Sequence, residues 1–419
     1  MHKAPRGTFD ILPDEHPYWK YVEEKAALLC QLYGYRPLST PIFEDAQIFT
    51  KTVAGGTDIV DKEMYMFEDK SGQELALRAE GTAPVCRAYL EHGLSNLPQP
   101  VKLYYIGPAF RYERPQSGRY RQHHQFGFEA LGEADPALDA EAVAMASHFF
   151  RSLGLSRLVI HLNSIGCRLC RPGYLEVLKQ HYSEHVARLC PDCKVRLVKN
   201  PLRLLDCKKT TCQEIAETAP QTTDHLCHEC QRHFHSVREY LGLLGIPFRF
   251  SPRLVRGLDY YTRTVFEFEP RADGGQSTLG GGGRYDNLIE ELGGKPTPAV
   301  GFATGLERII LNLKQQRLDI PELPRPDVFI ASLSGEAKTE AMKLASELRE
   351  AGIAVITATG DKSLKGQMRQ ADSLGIAYAL ILGKQELSQR NVVWRDMRSG
   401  EQKTIPLAGI ARFLKHLGI

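Results

Sequence analysis

The 419-residue sequence predicts three folded regions: an α+β region built on an antiparallel sheet, a cysteine-rich and mainly helical insertion within it, and a small C-terminal α/β domain. Three observations predict this. Before residue 317, strand-like segments are separated by turns more than by crossover helices, which favours antiparallel pairing. Eight of the ten cysteines fall between Cys167 and Cys230. After a proline-rich stretch the order becomes strand, helix, strand, helix, strand, as parallel pairing requires.

Composition fits that picture. Charged residues make up 25% and the hydrophobic set 42%, the balance of a chain with real cores. The formal net charge is only +3, so a nucleic-acid partner would have to meet a local basic surface. Met1-His2-Lys3-Ala4-Pro5-Arg6 lacks the apolar centre of a secretory signal. The best apolar run, Ile376 to Leu382, has strand length and falls far short of the roughly 18 residues of a membrane span. The expectation is a cytoplasmic protein without a membrane partner.

Residues 1–164 and 246–320 read as one α+β unit. Its strands are expected at Lys102 to Ile106, Gln125 to Ala130, Thr264 to Glu269 and Gln276 to Leu279. Residues 165–245 interrupt it. Residues 317–326 include Pro321, Pro324 and Pro326, which neither a helix nor a central strand tolerates, and read as a linker. Residues 327–419 begin with a strand at Val328 to Ala331. A helix from Glu336 to Ala351 is closed by Gly352, and a strand follows at Ile353 to Thr357. A helix from Ser363 to Leu374 ends at Gly375, before a strand at Ile376 to Leu382. Val392 to Asp396 and Gln402 to Leu407 form a hairpin around Arg398-Ser399-Gly400, and a short helix ends the chain.

Common active-site fingerprints are missing. The sequence has no phosphate loop ending in Gly-Lys-Ser/Thr, no His-Glu-x-x-His and no Gly-x-Ser-x-Gly. Gly280 to Gly283 precedes a helix-like stretch from Tyr285 to Leu292, but Arg284 follows at once and Rossmann spacing is lacking. The glycine run is either a bulge or tight turn, or a place where the backbone closely approaches a ligand.

Between Phe110 and Gln122 the chain carries four arginines in thirteen residues. Pro115, Ser117 and Gly118 mark a loop between two strand-like segments. Guanidinium groups on such a hairpin suit bidentate contact with phosphate, and an exposed basic hairpin is the plainer reading. Arg111-x-Glu113 at a strand end, followed by a loop and a second strand, resembles motif 2 of the class II aminoacyl-tRNA synthetases. Gly301-Phe302-Ala303-Thr304-Gly305-Leu306-Glu307-Arg308 resembles their motif 3, in which a helix carries an ATP-binding arginine. Gly34 to Glu44, with Thr40-Pro41, resembles motif 1, which forms the dimer interface of that class.

Within the class, Arg256-Gly257-Leu258-Asp259-Tyr260-Tyr261 is similar to a signature of the histidyl-tRNA synthetases, and Leu279 to Asp286 resembles their second signature. Arg78-Ala79-Glu80-Gly81-Thr82 resembles their substrate loop, with Ala79 where proline is common. The resemblance runs from Arg6-Gly7-Thr8 to the last helix. It implies a class II catalytic core at 1–164 and 246–320, an anticodon-binding domain at 327–419 and a homodimer. It also implies ligation of L-histidine to tRNA(His) through histidyl-adenylate, with ATP converted to AMP and pyrophosphate.

The resemblance implies roles as well. Glu80, Thr82 and Gln125 would receive the ammonium of histidine, with Gly81 and Tyr260 in the same site. Glu129 and Tyr261 would hold the two ring nitrogens. A site that pairs both nitrogens rejects other side chains by about 10⁴–10⁵-fold, so no editing domain is needed. Arg111 and Arg256 would clamp the α-phosphate, Arg256 as the family's catalytic arginine, and Arg308 the far end of ATP. Glu113 belongs to the same nucleotide set, while Arg119 and Arg121 face either the phosphates or the tRNA end. Mg²⁺ would neutralise the β- and γ-phosphates. The family commonly stacks phenylalanine on adenine where this chain has His123. Imidazole is smaller and can charge near neutral pH, so weaker or more pH-sensitive ATP binding is expected than in a His123→Phe variant.

Cys167-x2-Cys170 and Cys190-x2-Cys193 lie 19 residues apart, and Cys207-x4-Cys212 and Cys227-x2-Cys230 lie 14 apart. Such spacings suit two structural zinc sites of four thiolates each. Other pairings, a ligand from His228, His233 or His235, and reduced cysteines without metal are the alternatives. Lys194, Arg196, Lys199, Arg203, Lys208 and Lys209 either grip the tRNA acceptor arm or form a solvated face. Lys362, Lys365 and Arg369, on or near the second helix of the last domain, could meet RNA. The competing function is a non-catalytic, synthetase-like regulatory subunit of histidine biosynthesis. Such proteins typically lose the Arg256 motif and the last domain. A sensor or RNA-binding module on the same fold is a third reading.

Overall fold

The structure, a computed structural model, describes residues 2–50, 63–115, 118–271 and 278–419. The chain forms two compact units, Met1–Pro321 and Glu322–Ile419. The first is built on an eight-stranded sheet. Its order is Arg36–Pro37, Val101–Phe110, Gln122–Leu131, Ala299–Gly305, Gly280–Arg284, Thr262–Pro270, Leu158–Ser164, Arg249–Phe250. Neighbours among the six central strands pair antiparallel, and only the two-residue edge strands pair parallel.

Period-two alternation gives this sheet two chemically different faces. Phe126, Phe128, Phe266, Phe268 and Phe302 lie on one, packed with Trp19, Phe149, Phe150, Leu306 and Ile309. These partners come from the helices His16–Leu32, Pro136–Ser152 and Leu306–Gln315. Asp135 starts the second of them by accepting from Ala137 N at 2.8 Å, and Pro136 costs no hydrogen bond in the first turn. Gln125, Gly127, Glu129, Glu267, Gly281 and Gly283 are out of phase with the phenylalanines, and the candidate site lies on their face.

Of the strand expected at Gln276 to Leu279, Gln276 and Ser277 lie outside the described residues; Thr278 and Leu279 precede the strand, and pairing begins at Gly280. The expected helix from Tyr285 to Leu292 shrinks to Leu288–Glu291. Space explains the glycine strand: a Cβ on Gly282 would stand 2.0 Å from the Gly301 carbonyl oxygen, and one on Gly281 2.6 Å from that of Phe266. A register shift between Gly283 and Arg284 adds a bulge at the strand's end. A three-stranded sheet, Phe43–Asp45, Glu74–Leu77, Met66–Glu68, is not foreseen from the sequence, because its strands are too short to show alternation.

Residues 165–245 carry the helices Arg171–Ser183, Pro191–Lys199, Thr210–Glu217 and His228–Leu243. Their apolar side chains merge with the wall of the site: Leu178, Tyr182, Leu204 and Ile215 share a core with Tyr105, Tyr260, Tyr261 and Tyr285.

The second unit has a five-stranded sheet in the order Val355–Thr357, Val328–Ser332, Tyr378–Leu382, Asn391–Asp396, Gln402–Pro406. Its first three strands are parallel, and the last two form the expected antiparallel hairpin. Ser334 and Ser363 cap its helices Gly335–Glu350 and Leu364–Ser373 by accepting from Ala337 N and Gly366 N. Gly352 and Gly375 follow those helices at φ 85° and 66°, a backbone that glycine adopts freely. No helix among the described residues is long and apolar enough to cross a membrane.

Candidate active site

Glu129, 1% exposed, is the centre of the sheet's second face. Thr82 Oγ1 donates to its Oε1 at 2.8 Å and the Tyr285 hydroxyl to its Oε2. Burial pushes the Glu129 carboxyl up to about 8, although these two hydrogen bonds pull the other way; nearby Glu80 adds to the rise. Glu80 is itself buried, and burial raises its pKa too. Its oxygens accept from Thr82 N at 2.6 Å and Ala83 N at 2.8 Å, so it satisfies the first turn of the helix Thr82–Glu91. Glycines make the room. A Cβ on Gly301 would stand 1.6 Å from Glu129 Oε2, one on Gly81 2.1 Å from the Tyr105 ring, and one on Gly283 3.0 Å from the Tyr261 ring.

The Tyr260 ring lies tilted against that of Tyr261, with centres 4.8 Å apart, and edge-on to that of Tyr285 at 5.6 Å. Around this group Tyr105 OH, Gln125 Oε1, Tyr260 OH and Arg256 Nε are buried and make no hydrogen bond. Each such atom costs about 1–3 kcal/mol. Their gathering beside Glu80 and Glu129 is the signature of a polar ligand's place.

Next to this pocket the charge changes sign. Arg256 pairs with Glu267, which also accepts from Thr278 Oγ1 at 2.9 Å. Its guanidinium lies 5.9 Å from the Tyr261 ring centre, above Gly281, where a Cβ would come within 2.7 Å of it. Arg111 is anchored through Nε on the Ala79 carbonyl at 3.0 Å and has no ion pair among the described residues. Arg308 is held by the carbonyls of Gly118 at 3.0 Å and Thr278 at 2.7 Å. Burial lowers its pKa, and the like charges of Arg119 and Arg111 lower it further. Arginines gathered against their own repulsion are suited to an anion.

His123 sits beside Arg111, His124 and Arg308. Burial, then those neighbouring charges, pull its imidazole down to about 3. A ring that stays neutral through about pH 6 to 8 speaks against a pH-sensitive contact and leaves the weaker contact of the smaller ring as the expectation. Arg119 pairs with Glu113 at 3.4 Å. Arg121 turns elsewhere, with its guanidinium 3.8 Å from the Tyr112 ring centre. With Arg6 and Arg114 it lines an open cleft of about 340 Å³. Gln116 and Ser117 of the same loop lie outside the described residues.

The sequence reading missed three residues here. Tyr285 lies within the second signature, whose pattern does not reveal that its hydroxyl meets Glu129. Glu267 and Tyr105 carry no motif; only strand alternation with Gln125 and Glu129 as reference could have placed them.

The eight insertion cysteines form two groups, nested rather than consecutive. Cys167, Cys170, Cys227 and Cys230 make one, and Cys190, Cys193, Cys207 and Cys212 the other, with the sulfurs of each within 4.8 Å of one another. His228, His233 and His235 belong to neither; His233 instead meets buried Asp139 at 3.2 Å.

A family model described as Histidyl-tRNA synthetase matches residues 7–169 and 175–309 of the chain. This chain belongs to the histidyl-tRNA synthetase family. The class II fold of that family is the antiparallel sheet and flanking helices described above. A second model, Anticodon binding domain, matches residues 327–417. A histidine–tRNA ligase of Dehalococcoides mccartyi is 57% identical over 407 residues, 97% of each chain. One of Pelotomaculum thermopropionicum is 50% identical over 98% of this chain and 97% of its own. The crystal structure of apo S. aureus histidyl-tRNA synthetase matches with a TM-score of 0.83 at 39% identity, covering 99% of both chains.

Proposed function

We propose that this protein is a histidine–tRNA ligase that works through histidyl-adenylate. The histidine carboxylate attacks the α-phosphate of ATP and pyrophosphate leaves. A ribose hydroxyl at the 3′ end of tRNA(His) then attacks the acyl carbon, and AMP leaves. The observation that carries this reading is the glycine-floored pocket of Glu129, with its unpartnered polar atoms and a cluster of arginines beside it.

In this reading Glu129 and Tyr261 receive the imidazole nitrogens. Glu80, Thr82 and Gln125 receive the ammonium; Glu80 has lone pairs to spare beyond those that start its helix. Gly81 and Tyr260 shape the wall, and Tyr285 fixes the rotamer of Glu129. Arg256, whose Nε lacks a partner, and Arg111 stabilise the charge that builds on the α-phosphate. Arg308 and Arg119 hold the distal phosphates, and His123 lies against adenine. Mg²⁺ is the ion such phosphates bring, and Glu113 and Glu267, both within electrostatic reach of Arg308, are hard-oxygen donors that suit it. Arg121, expected to face either the phosphates or the tRNA end, takes the second role here, with Arg6 and Arg114 at the same cleft. Motif 1 supports a homodimer, the second unit supports anticodon binding, and the cysteine groups support zinc.

The regulatory-subunit reading is less supported, since this chain carries the Arg256 segment and matches the anticodon-binding family over residues 327–417. Histidine-dependent exchange of pyrophosphate into ATP, followed by charging of tRNA(His), tests the proposal. A protein that binds histidine and catalyses no exchange is not the ligase.

A further inference from the structure

The two cysteine groups have the dimensions of metal–thiolate centres. Sulfurs are 3.7 Å apart for Cys167 and Cys170 and 3.9 Å apart for Cys167 and Cys227. They are 3.9 Å apart for Cys170 and Cys230 and again for Cys190 and Cys207. Bonds of about 2.3 Å to one tetrahedral ion place sulfurs about 3.8 Å apart. A disulfide would bring them to about 2.05 Å. Backbone N–H groups support the sulfurs: Cys167 donates to Cys170 at 3.3 Å, Leu169 to Cys167 at 3.4 Å and Cys190 to Cys212 at 3.4 Å. Four thiolates in a closed tetrahedron select zinc in a structural role.

The second observation is what these centres brace. Arg171 follows Cys170 directly, and its guanidinium donates to the carbonyls of Tyr261, Gly166 and Ile165. Between Cys193 and Cys207 of the other centre runs a short segment that carries Asn200 and Arg203. Asn200 Nδ2 donates to both oxygens of Asp259 at 2.8 Å, and Arg203 Nη1 donates to the Arg256 carbonyl at 3.3 Å. Cys193, Cys207 and Cys212 also share a core with Tyr260 and Tyr261. The segment Arg256–Tyr261 is thus gripped from both centres.

We propose that each cysteine group binds one zinc ion and that the two zinc sites position the segment Arg256–Tyr261 through Arg171, Asn200 and Arg203. The second half rests on the ligase reading, because that segment supplies Arg256 to the phosphate and Tyr260 and Tyr261 to histidine. Zinc at the inner centre fixes both ends of the Asn200 segment. Without it, chain entropy competes with the bonds to Asp259 and Arg256.

The test uses the full chain, purified without added metal. Elemental analysis is expected to give about two zinc ions per chain, released on titration with a mercurial thiol reagent; a content near zero overturns the metal sites. Asn200→Ala and Arg203→Ala are expected to keep their zinc. Each should lower kcat of pyrophosphate exchange and raise the histidine KM about tenfold, the size of one lost hydrogen bond to a charged group, while the ATP KM stays within about twofold. Simple loss of folded protein lowers kcat alone. Zinc-replete variants with wild-type kinetics overturn the coupling. Should the wild type show no exchange, the ligase reading fails by itself. Protease protection of residues 165–245 that is lost when zinc is released then supports the metal sites, and unchanged protection counts against them.

Discussion

Glu129 titrates at about 8 instead of its ordinary 4.5, so between those values the folded chain holds a proton that the unfolded chain has released. A group raised in this way favours the folded state at low pH, and the advantage is lost as pH rises through about 8. Glu129→Gln removes the titration. Its melting temperature should gain on that of the wild type as pH rises from about 5 to about 8, and a difference that does not change with pH rules out the raised carboxyl. The same change takes the carboxyl acceptor from the imidazole N–H, so the histidine KM should rise about tenfold. His123 gives a complementary prediction. Its ring is neutral in the working range, so His123→Phe should lower the ATP KM a few-fold, by the same factor at about pH 6, 7 and 8. A factor that widens toward pH 6 would show that the imidazole charges after all.

Elements show where sequence reading succeeds. Helices with a serine at the start and a glycine just past the end, such as Gly335–Glu350 and Leu364–Ser373, were legible because their end signals are local. The hairpin Val101–Phe110 with Gln122–Leu131 was legible from its loop residues, and its register brings Phe110 opposite Gln122 at the base of the long loop 111–121. The roles of Gly280–Gly283 and of the cysteine pairs were not. What a glycine must avoid, or which pair of thiols a pair meets, is set by segments far away in sequence. The same holds for Arg284. It is fully buried with Asp139, 145 residues away, and is tied further to Asp286 and to the carbonyls of Glu133 and Asp135. Breaking one side of such a pair leaves the Asp139 charge buried with only His233 beside it, at a cost of about 3–5 kcal/mol. Arg284→Met should therefore lose about that much stability in denaturant titration, and a loss under about 1 kcal/mol would mean that Asp139 finds other compensation.

For the whole molecule the question is how a chain of net charge +3 holds a polyanion. Its balance leaves no global field, so RNA affinity has to come from local groups. The second unit offers one such group. Lys365 and Arg369 stand four residues apart on the helix Leu364–Ser373, hence on one face, and Lys362 lies just before it; all three are exposed. Replacing the three by alanine changes nothing in the pocket of Glu129, which lies in the other unit with a core of its own. Histidine-dependent exchange should therefore keep its wild-type rate. The KM for tRNA(His) should rise about tenfold at moderate salt, and the slope of log affinity against log salt should become shallower by roughly 2 to 3, the number of phosphate contacts removed. An unchanged salt slope would place the anticodon arm on another face of this unit. A fall in exchange as well would mean that the two activities are not separable along the boundary between the units.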